Sequence, residues 1–277
     1  MQYTEVKFSI EPYEPWADVL SAELGEIGFE SFIEEDGFLL AYVDESLFSE
    51  DALKNVDTMK MDDVEVSYST KVLEQQNWNK EWESNFDPVY VDDQICVRAT
   101  FHQPEPQYPY EIIIDPKMSF GTGHHATTHL MLSQMQSVDF KGESVLDMGS
   151  GTGVLAIFAA MRGANPVYAI DIDEWCSINA RENAERNGVE FIEIMHGGKE
   201  KIPGMKVDVI LANINRNILL DQLELYATAL NDHGILHMSG FYQEDVESLL
   251  NEAIKYGLKF ISQKSRGYWT TINLVKE

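Results

Sequence analysis

The sequence of 277 residues predicts an α/β protein in which a small α+β domain precedes a larger, doubly wound domain with a mostly parallel sheet. Three observations predict this organisation. The first 70 residues follow a β-α-β-β-α-β pattern, and from residue 111 onward strand and helix patterns alternate along the chain. Residues 144–158 read as a buried strand, a glycine-rich turn and an apolar helix, which is typical of a nucleotide-like ligand site.

The first predicted domain spans residues 1–70. Its elements are a strand over 3–10, a helix over 16–27, two strands joined at Asp36-Gly37, a short helix after Ser49 and a strand over 64–69. Asp-Gly between apolar runs favours a tight hairpin, and a serine before acidic residues favours a helix start. The order is the split β-α-β pattern of ferredoxin-like domains, a fold that hosts many functions.

This first domain is strongly acidic. Residues 1–70 contain 18 Asp and Glu but only 3 Lys, so 3 − 18 = −15 of the total charge of −27 falls there. Such a surface attracts a basic partner and raises its association rate, although a merely soluble acidic domain is about as compatible with the charge alone. We expect no direct nucleic-acid binding, because no basic face is evident.

We expect a cytoplasmic protein without a membrane segment. No apolar run approaches the ~20 residues of a membrane span. The N-terminus lacks the basic start and apolar block of a signal peptide.

Residues 71–100 are expected to link the two domains. Trp78, Trp82 and Phe86 recur at intervals of four, which predicts a connecting helix that docks an aromatic face on a neighbour.

The second predicted domain spans residues 101–277. Its strands are expected over 144–149, 167–171, 191–195, 207–213 and 235–239, its helices over 153–162, 174–187, 217–230 and 244–256, and two closing strand-like runs over 259–263 and 269–275. Alternation of this kind builds a doubly wound sheet. The closing pair has no helix between its members, which predicts an antiparallel strand at the edge.

The glycine turn has the pattern G-x-G-x-G, with Gly149, Gly151 and Gly153. A dinucleotide fingerprint requires its third glycine one position later, where this chain has Val154. Asp171 ends the next predicted strand, 171 − 149 = 22 residues after the first glycine, where an acid can bind ribose hydroxyls. The turn therefore favours a nucleoside and disfavours a pyrophosphate.

Asp147 stands immediately before the glycines, in L-D-M-G-S-G. A carboxylate there would repel a pyrophosphate and suits a cationic cofactor, although it could instead accept hydrogen bonds from backbone donors at the turn. S-adenosylmethionine offers an adenosyl ribose, an ammonium group and a sulfonium. At these residues the sequence resembles the class I S-adenosylmethionine-dependent methyltransferases, whose Rossmann-like sheet also contains an antiparallel strand.

Three motifs narrow the resemblance. They are F-G-T-G-x-H-x-T-T over 120–128, L-D-x-G-x-G-[ST]-G over 146–153 and A-N-I over 212–214. Together with the W-x-x-x-W-x-x-x-F linker and the acidic first domain, they resemble the bacterial ribosomal protein L11 methyltransferase family over nearly the whole chain. The first motif is highly specific and the second generic. The family commonly has D-P-G-x-A before the first motif, whereas Lys117 and Ser119 here replace the glycine and the alanine.

The resemblance implies an activity and a partner. Members of this family transfer methyl groups from S-adenosylmethionine to α-amino and lysine ε-amino groups of ribosomal protein L11. A basic ribosomal protein would suit the acidic first domain as its recognition surface.

The resemblance also implies roles for particular residues. Thr128 would hydrogen-bond the methionine part of the cofactor, Gly149 would pass closely against it, and Asp171 would bind the ribose. Asn213 would face the methyl group and orient the amine, with no dedicated general base. Further candidates for lining the pocket are Phe120, Thr122 and Gly151.

Several alternatives stay open at the level of sequence. The chain could methylate another protein or a small-molecule amine, although the missing N-P-P-Y argues against a release-factor glutamine. A nicotinamide-dependent oxidoreductase is disfavoured by Val154, and a silent binding module is a further alternative. His124, His125 and His129 invite a metal interpretation, but nothing nearby completes a site, and we expect them to order the loop or cap a helix.

Overall fold

The computed structural model describes residues 3–73, 86–115, 117 and 119–277. The chain divides into two compact units, Met1–Asn85 and Phe86–Glu277. The predicted connecting helix with Trp78 and Trp82 lies outside the described residues.

The first unit is a four-stranded antiparallel sheet with two helices. Its elements are β1 (Tyr3–Glu11), α1 (Trp16–Glu26), β2 (Phe29–Glu35), β3 (Phe38–Asp44), α2 (Glu50–Lys54) and β4 (Glu65–Leu73). The strand order is β2-β3-β1-β4, with antiparallel pairing throughout. This confirms the predicted β-α-β-β-α-β order, in which β1 and β2 flank β3.

The predicted local signals are visible in this unit. Asp36 and Gly37 both have positive φ, 51° and 80°, as a two-residue hairpin of the primed type requires. The hydroxyl of Ser49 accepts a hydrogen bond from the backbone N–H of Ala52 at 3.2 Å and so caps α2. Alternate residues of β1, such as Phe8, are buried against Leu20 and other apolar residues of α1, which forms a small separate core.

The second unit carries the larger sheet. Its elements are β5 (Val89–Val91), β6 (Ile95–Arg98), β7 (Tyr110–Ile113), α3 (Ala126–Met135), β8 (Val145–Met148), α4 (Val154–Met161), β9 (Val167–Asp171), α5 (Glu174–Arg186), β10 (Glu193–His196), β11 (Val207–Asn213), α6 (Arg216–Ala229), β12 (Leu230–Tyr242), α7 (Val246–Ala253), β13 (Leu258–Arg266) and β14 (Trp269–Lys276).

The seven-stranded sheet has the order β10-β9-β8-β11-β12-β14-β13. The first five strands in this order run parallel, and β14 is antiparallel to both of its neighbours. The sequence predicted an antiparallel strand at the edge. The structure inserts that reversed strand between β12 and β13, and β13 forms the edge itself.

Helices cover both faces of this sheet. On one face α3, α4 and α5 enclose a core that includes Met131 and Phe158, and on the other α6 and α7 enclose a core that includes Leu223 and Leu249. Strand β8 supplies apolar side chains to both cores, which explains its nearly continuous apolar sequence. None of the helices in the described ranges is both long and apolar enough to cross a membrane.

The predicted linker over 71–100 extends too far. Strands β5 and β6 lie inside that range, yet they form a three-stranded sheet with β7 as part of the second unit. Each of these strands has only three or four residues, too few to show an alternation pattern. The proline-rich segment between β6 and β7 further hides their pairing in the sequence. Helix α3 was also not predicted.

Candidate active site

The carboxyl ends of β9, β8 and β11 meet at one edge of the sheet, because these strands are parallel neighbours. The turn after β8 carries Gly149, Gly151 and Gly153 with φ angles of 71°, 54° and 79°. These left-handed conformations favour glycine. The sequence-predicted Asp171 and Asn213 end the two flanking strands, so the structure brings them to the same edge.

Asp171 ties the glycine turn to the end of β9. One carboxylate oxygen accepts a hydrogen bond from the backbone N–H of Gly151 at 2.8 Å, and the other accepts one from Asp173 at 2.9 Å. Each oxygen of a carboxylate can accept two hydrogen bonds. The carboxylate is therefore oriented by the backbone and retains acceptor capacity for a diol such as a ribose.

Close packing around the turn explains why its glycines carry no side chain. A Cβ atom at Gly149 would overlap the side chain of Ile214, and a Cβ atom at Gly151 would overlap the carbonyl oxygen of Phe120. Gly240 in β12, with φ of 98°, passes equally close to the backbone of Ile214. The motif residue Ile214 is thus enclosed by two glycines, only one of which belongs to a recognised motif.

The F-G-T-G loop is fastened directly to the glycine turn. The backbone N–H of Thr152 donates to the carbonyl of Phe120 at 2.8 Å, and the Thr152 hydroxyl donates to the carbonyl of Gly121, also at 2.8 Å. Thr152 is fully buried, so both hydrogen bonds are shielded from water. The two motifs that carry the resemblance therefore form one structural unit.

Helix α3 contributes the third side of the site. His125 is its N-cap, and its Nδ1 accepts a hydrogen bond from the backbone N–H of Thr127 at 3.3 Å, as predicted for a capping group. Thr128 in the next position is buried, and its hydroxyl accepts from the side-chain amide of Asn213 at 3.4 Å. The side-chain carbonyl oxygen of Asn213, Oδ1, is buried and has no partner in the described part of the chain.

These features fit S-adenosylmethionine. Asp171 offers oriented acceptors at the end of β9. Asn213 presents, beside Thr128, a buried side-chain oxygen that has no partner among the described residues. Buried acceptors without partners are uncommon in folded proteins, and a water, an ion or a ligand can complete them.

Asp147 uses one carboxylate oxygen within the fold, and its other oxygen is buried with no partner among the described residues. It is fully buried, and one of its carboxylate oxygens accepts a hydrogen bond from the backbone N–H of Ala156, in the first turn of α4, at 3.0 Å. Burial raises the pKa of Asp147 to about 7, and the nearby charge of Asp171 acts in the same direction. The structure supports the second interpretation, in which this carboxylate satisfies a backbone donor.

Asparagines on one face of α5 hold the chain that leads into the site, and sequence reasoning missed them. The side-chain amide of Asn183 accepts from the backbone N–H of Asp115 at 2.9 Å and donates to the carbonyl of Thr152 at 3.0 Å. Asn187, one turn later, exchanges two hydrogen bonds with the backbone of Ile113, at 2.8 and 2.7 Å. The spacing of four residues between these asparagines is the signal that could have revealed them.

Lys117, which replaces the glycine of the family pattern, forms ion pairs in the structure. The Lys117 ammonium lies 2.5 Å from a carboxylate oxygen of Glu182 and 3.7 Å from one of Asp115, and Arg186 lies 3.3 Å from Asp115. The hydrogen bond from Lys117 holds the pKa of Glu182 below its usual value. These ion pairs anchor the loop to α5 at the position where the family commonly has glycine.

The neighbouring histidines are used by the fold. His124 Nε2 lies 2.9 Å from the carbonyl oxygen of Asp87 and its Nδ1 lies 3.2 Å from the Thr122 hydroxyl, so it orders the loop as predicted. Across the residues that the structure describes, no group of three or more His, Cys, Asp or Glu residues is arranged to bind a metal ion.

The doubly wound sheet with its reversed strand and the glycine turn flanked by Asp171 and Asn213 define a class I S-adenosylmethionine-dependent methyltransferase. S-adenosylmethionine is the methyl donor of this class. The family model described as Ribosomal protein L11 methyltransferase (PrmA) matches residues 19–277. The chain belongs to the ribosomal protein L11 methyltransferase family.

Similar proteins agree with this assignment. Ribosomal protein L11 methyltransferases of Phocaeicola vulgatus and of Bacteroides fragilis are 45% and 44% identical to this chain over 279 residues, and the alignments cover 99% of this chain and at least 99% of each relative. The crystal structure of a ribosomal protein L11 methylase from Lactobacillus delbrueckii subsp. bulgaricus superposes with a TM-score of 0.64 at 27% identity. That superposition covers 69% of this chain and all of the other.

The raised pKa of Asp147 predicts a pH-dependent stability. The unfolded carboxyl, with an ordinary pKa near 3.8, loses its proton before the folded one, so the unfolding free energy falls as the pH rises from about 4 to about 7. Asp147→Asn keeps an acceptor for Ala156 but cannot ionise. We expect it to be more stable than the wild type at pH 8, by up to about 4 kcal/mol, and nearly equal at pH 4.

Urea unfolding at several pH values between 4 and 8 measures this difference. Glu190→Gln is the matched control, because Glu190 is exposed and the substitution also removes one carboxylate. A pH dependence that persists unchanged in Asp147→Asn would show that another group causes it.

Proposed function

We propose that this protein transfers methyl groups from S-adenosylmethionine to amino groups of ribosomal protein L11, including its α-amine and lysine ε-amines. The observation that carries the proposal is the buried, unpartnered carbonyl oxygen of Asn213, which lies beside Thr128 at the edge of the sheet that holds the glycine turn. The substrate is proposed from the names of the relatives, which are ribosomal protein L11 methyltransferases. The side-chain oxygen of Asn213 can accept a hydrogen bond from an N–H group of the amine that is methylated.

The proposed cofactor contacts follow from the same geometry. Asp171 would bind the ribose through the free lone pairs of its backbone-oriented carboxylate. Gly149 would admit the cofactor against the backbone, and Thr128 would contact its methionine part. Phe120, with 52% of its surface exposed, would line the entrance together with Thr122.

The chemistry requires alignment more than proton transfer. When bound, the cofactor would supply a methyl carbon activated by a positively charged sulfur. A neutral amine would attack that carbon in line, the C–S bond would break as the N–C bond forms, the thioether would leave, and the product ammonium would release a proton to solvent. An α-amine has a pKa of ~8 and a lysine ~10.4, and burial without a counter-charge lowers both. Asn213 and neighbouring backbone carbonyls would accept hydrogen bonds from the N–H groups and point the lone pair at the methyl. Holding the two reactants in this geometry supplies most of the rate enhancement.

The first unit is proposed to recognise the basic substrate. Of the 18 acidic residues among the first 70, 15 are exposed and three, Glu5, Glu23 and Asp44, are partly buried, so most of this charge faces solvent. The hairpin of β2 and β3 alone presents Glu30, Glu34, Glu35 and Asp36 as exposed carboxylates. Complementary charge of this kind accelerates encounter and fixes orientation. We also propose that the reaction takes place in the cytoplasm, because the proposed substrate is a ribosomal protein.

Calorimetric titration tests the cofactor assignment. We expect the wild type to bind S-adenosylmethionine and not NADH, and Asp171→Ala to bind S-adenosylmethionine about 100-fold more weakly, since two hydrogen bonds to a charged group are lost. Asp173→Ala is the control, because it removes only the cap of α5. Binding of NADH would overturn the assignment, as would unchanged affinity in Asp171→Ala.

Substitution of Asn213 tests its orienting role. Asn213→Ala should lower kcat on ribosomal protein L11 by about 100-fold while weakening S-adenosylmethionine binding far less, because the lost acceptor serves the amine in the transition state. Asn215→Ala, which removes the N-cap of α6, should retain turnover within a few fold. Normal turnover of Asn213→Ala with intact cofactor binding would refute the role.

Charge neutralisation tests recognition by the first unit. Combining Glu30→Gln, Glu34→Gln and Asp36→Asn should raise KM for ribosomal protein L11 several-fold and reduce its salt dependence, with kcat unchanged. The matched control combines Glu185→Gln, Glu190→Gln and Glu193→Gln on the exposed surface of the second unit. Equal effects of the two triple variants would mean that net charge alone, and not the first unit, attracts the substrate.

A further inference from the structure

A second cavity lies at the opposite end of the large sheet. It has a volume of about 560 Å³, within the range of small-ligand sites, and it is bordered by Glu143 before β8, Asp208 near the start of β11 and Gly234 in the first half of β12. Asp208 precedes Asn213 by five residues along β11, which corresponds to about 16 Å. The cavity is therefore separate from the proposed methyl-transfer site.

Part of the cavity lining is apolar. Val138 follows the end of α3, Val209 and Ile235 are neighbours in adjacent parallel strands, and Ile261 belongs to the edge strand β13. No charged group stands among these four side chains. Such a surface accommodates a short aliphatic chain.

Asn273 and Ser262 line the cavity, and Gln134, which is not part of the lining, bonds to Ser262. The side-chain amides of Asn273 and Gln134 both donate to the single hydroxyl oxygen of Ser262, at 3.2 and 3.0 Å. Because Asn273 donates through its amide nitrogen, its carbonyl oxygen is left to accept a hydrogen bond.

His237 adds a further unmet group at this place. It lies opposite Asn273 in the β12–β14 pair and is fully buried. Burial lowers the pKa of His237 to about 4, whereas a side-chain hydrogen bond to Asn273 acts in the opposite direction. The ring is therefore neutral, with its N–H directed at the Asn273 oxygen and its other nitrogen left as an acceptor. The remaining ring nitrogen of His237 is an acceptor that the cavity lining offers to an N–H group of a ligand.

The mouth of the cavity is acidic. Asp139, Glu143, Asp208 and Asp232 line the cavity together with His233. Asp208 already accepts hydrogen bonds from Ser144 and Asn231, so the other three carboxylates are the ones open to a cation. Burial and the charge of Asp208 raise the pKa of Glu143, which is the response of a carboxyl that lacks a neighbouring cation. A cation at the mouth would relieve this repulsion.

We propose that this cavity binds an aliphatic diamine, with one ammonium group against the carboxylates of the mouth, the chain along the apolar part of the lining and the other nitrogen at the free ring nitrogen of His237. The combination is specific, because an anion would meet repulsion at the mouth and a purely apolar molecule would leave the His237 nitrogen unpaired. The ligand would bind together with the cofactor, since the two sites lie at opposite ends of the strands.

Pentane-1,5-diamine is the probe that tests this site, with pentane-1,5-diol and pentylamine as comparison compounds. Titrations of the full chain labelled at isoleucine methyl groups should show saturable shifts of Ile235 and Ile261 with the diamine. We expect the diamine to bind at least tenfold more tightly than either comparison compound. Equal binding of the diol would overturn the requirement for charge, and equal binding of pentylamine would overturn the role of His237.

Variants locate the binding. The double variant Glu143→Gln, Asp232→Asn should weaken diamine binding at least tenfold, and Asn273→Ala should weaken the diamine more than pentylamine. The control double variant Glu185→Gln, Glu190→Gln removes the same charge from the exposed surface and should bind as the wild type does. Unchanged affinity for S-adenosylmethionine in each variant shows that the second unit is folded. Equal loss in the control, or absence of methyl shifts in the wild type, would refute the proposal.

Discussion

The close approach of three backbone segments at the glycine turn is the constraint on which the active-site end of the protein depends. The turn itself, the Phe120–Gly121 segment and the Ile214 segment lie so close that a single Cβ atom at Gly149 or Gly151 would collide. Hydrogen bonds from Thr152 and to Asp171 hold the segments in this arrangement. Because the interior is close-packed, a shift of any one segment would move the others.

This constraint explains how distant parts of the sequence act together. The loop motif over 120–128 precedes the glycine turn by some twenty residues, and the A-N-I motif follows it by about sixty. In the structure Thr152 of the glycine turn donates a hydrogen bond to the loop motif, and Ile214 of the A-N-I motif packs against Gly149 of the same turn. The residues of each motif must therefore fit those of the other two motifs. Asn183 adds a further connection, because its side-chain amide bonds both to Thr152 in the turn and to Asp115 in the chain that follows β7.

The sequence was most informative where one element carries its own signal. Strands β9 and β11 have the predicted bounds because each is a buried apolar run of parallel sheet, and the Asp36-Gly37 hairpin follows from a turn chemistry that two residues decide. It was least informative where the partner lies elsewhere in the chain. Strands β5 to β7 are too short to show a period, and the insertion of β14 beside β12 depends on long-range pairing that no local pattern encodes.

Candidate site residues divide in the same way. Asp171 and Asn213 could be placed at the site because the ends of parallel strands converge by topology. Asp147 occupies an equally suggestive position, yet the pleat of β8 turns it toward α4, where it accepts a hydrogen bond from Ala156. The sequence predicts the strand but does not show which backbone N–H group needs an acceptor. The position of that N–H group determines which hydrogen bond the buried carboxylate makes.

Unpaired buried acceptors distinguish both ends of the large sheet. Among the described residues, the side-chain oxygen of Asn213 has no partner at the carboxyl end, and one ring nitrogen of His237 has none toward the amino end. Each such group costs about 1–3 kcal/mol when it remains unpaired, which a folded protein with a net stability of roughly 5–15 kcal/mol seldom tolerates without a compensating function. A buried acceptor that lacks a donor supports the binding of an amine at Asn213. The same argument supports a nitrogen ligand in the acidic cavity at the other end of the sheet, where carboxylates line the opening.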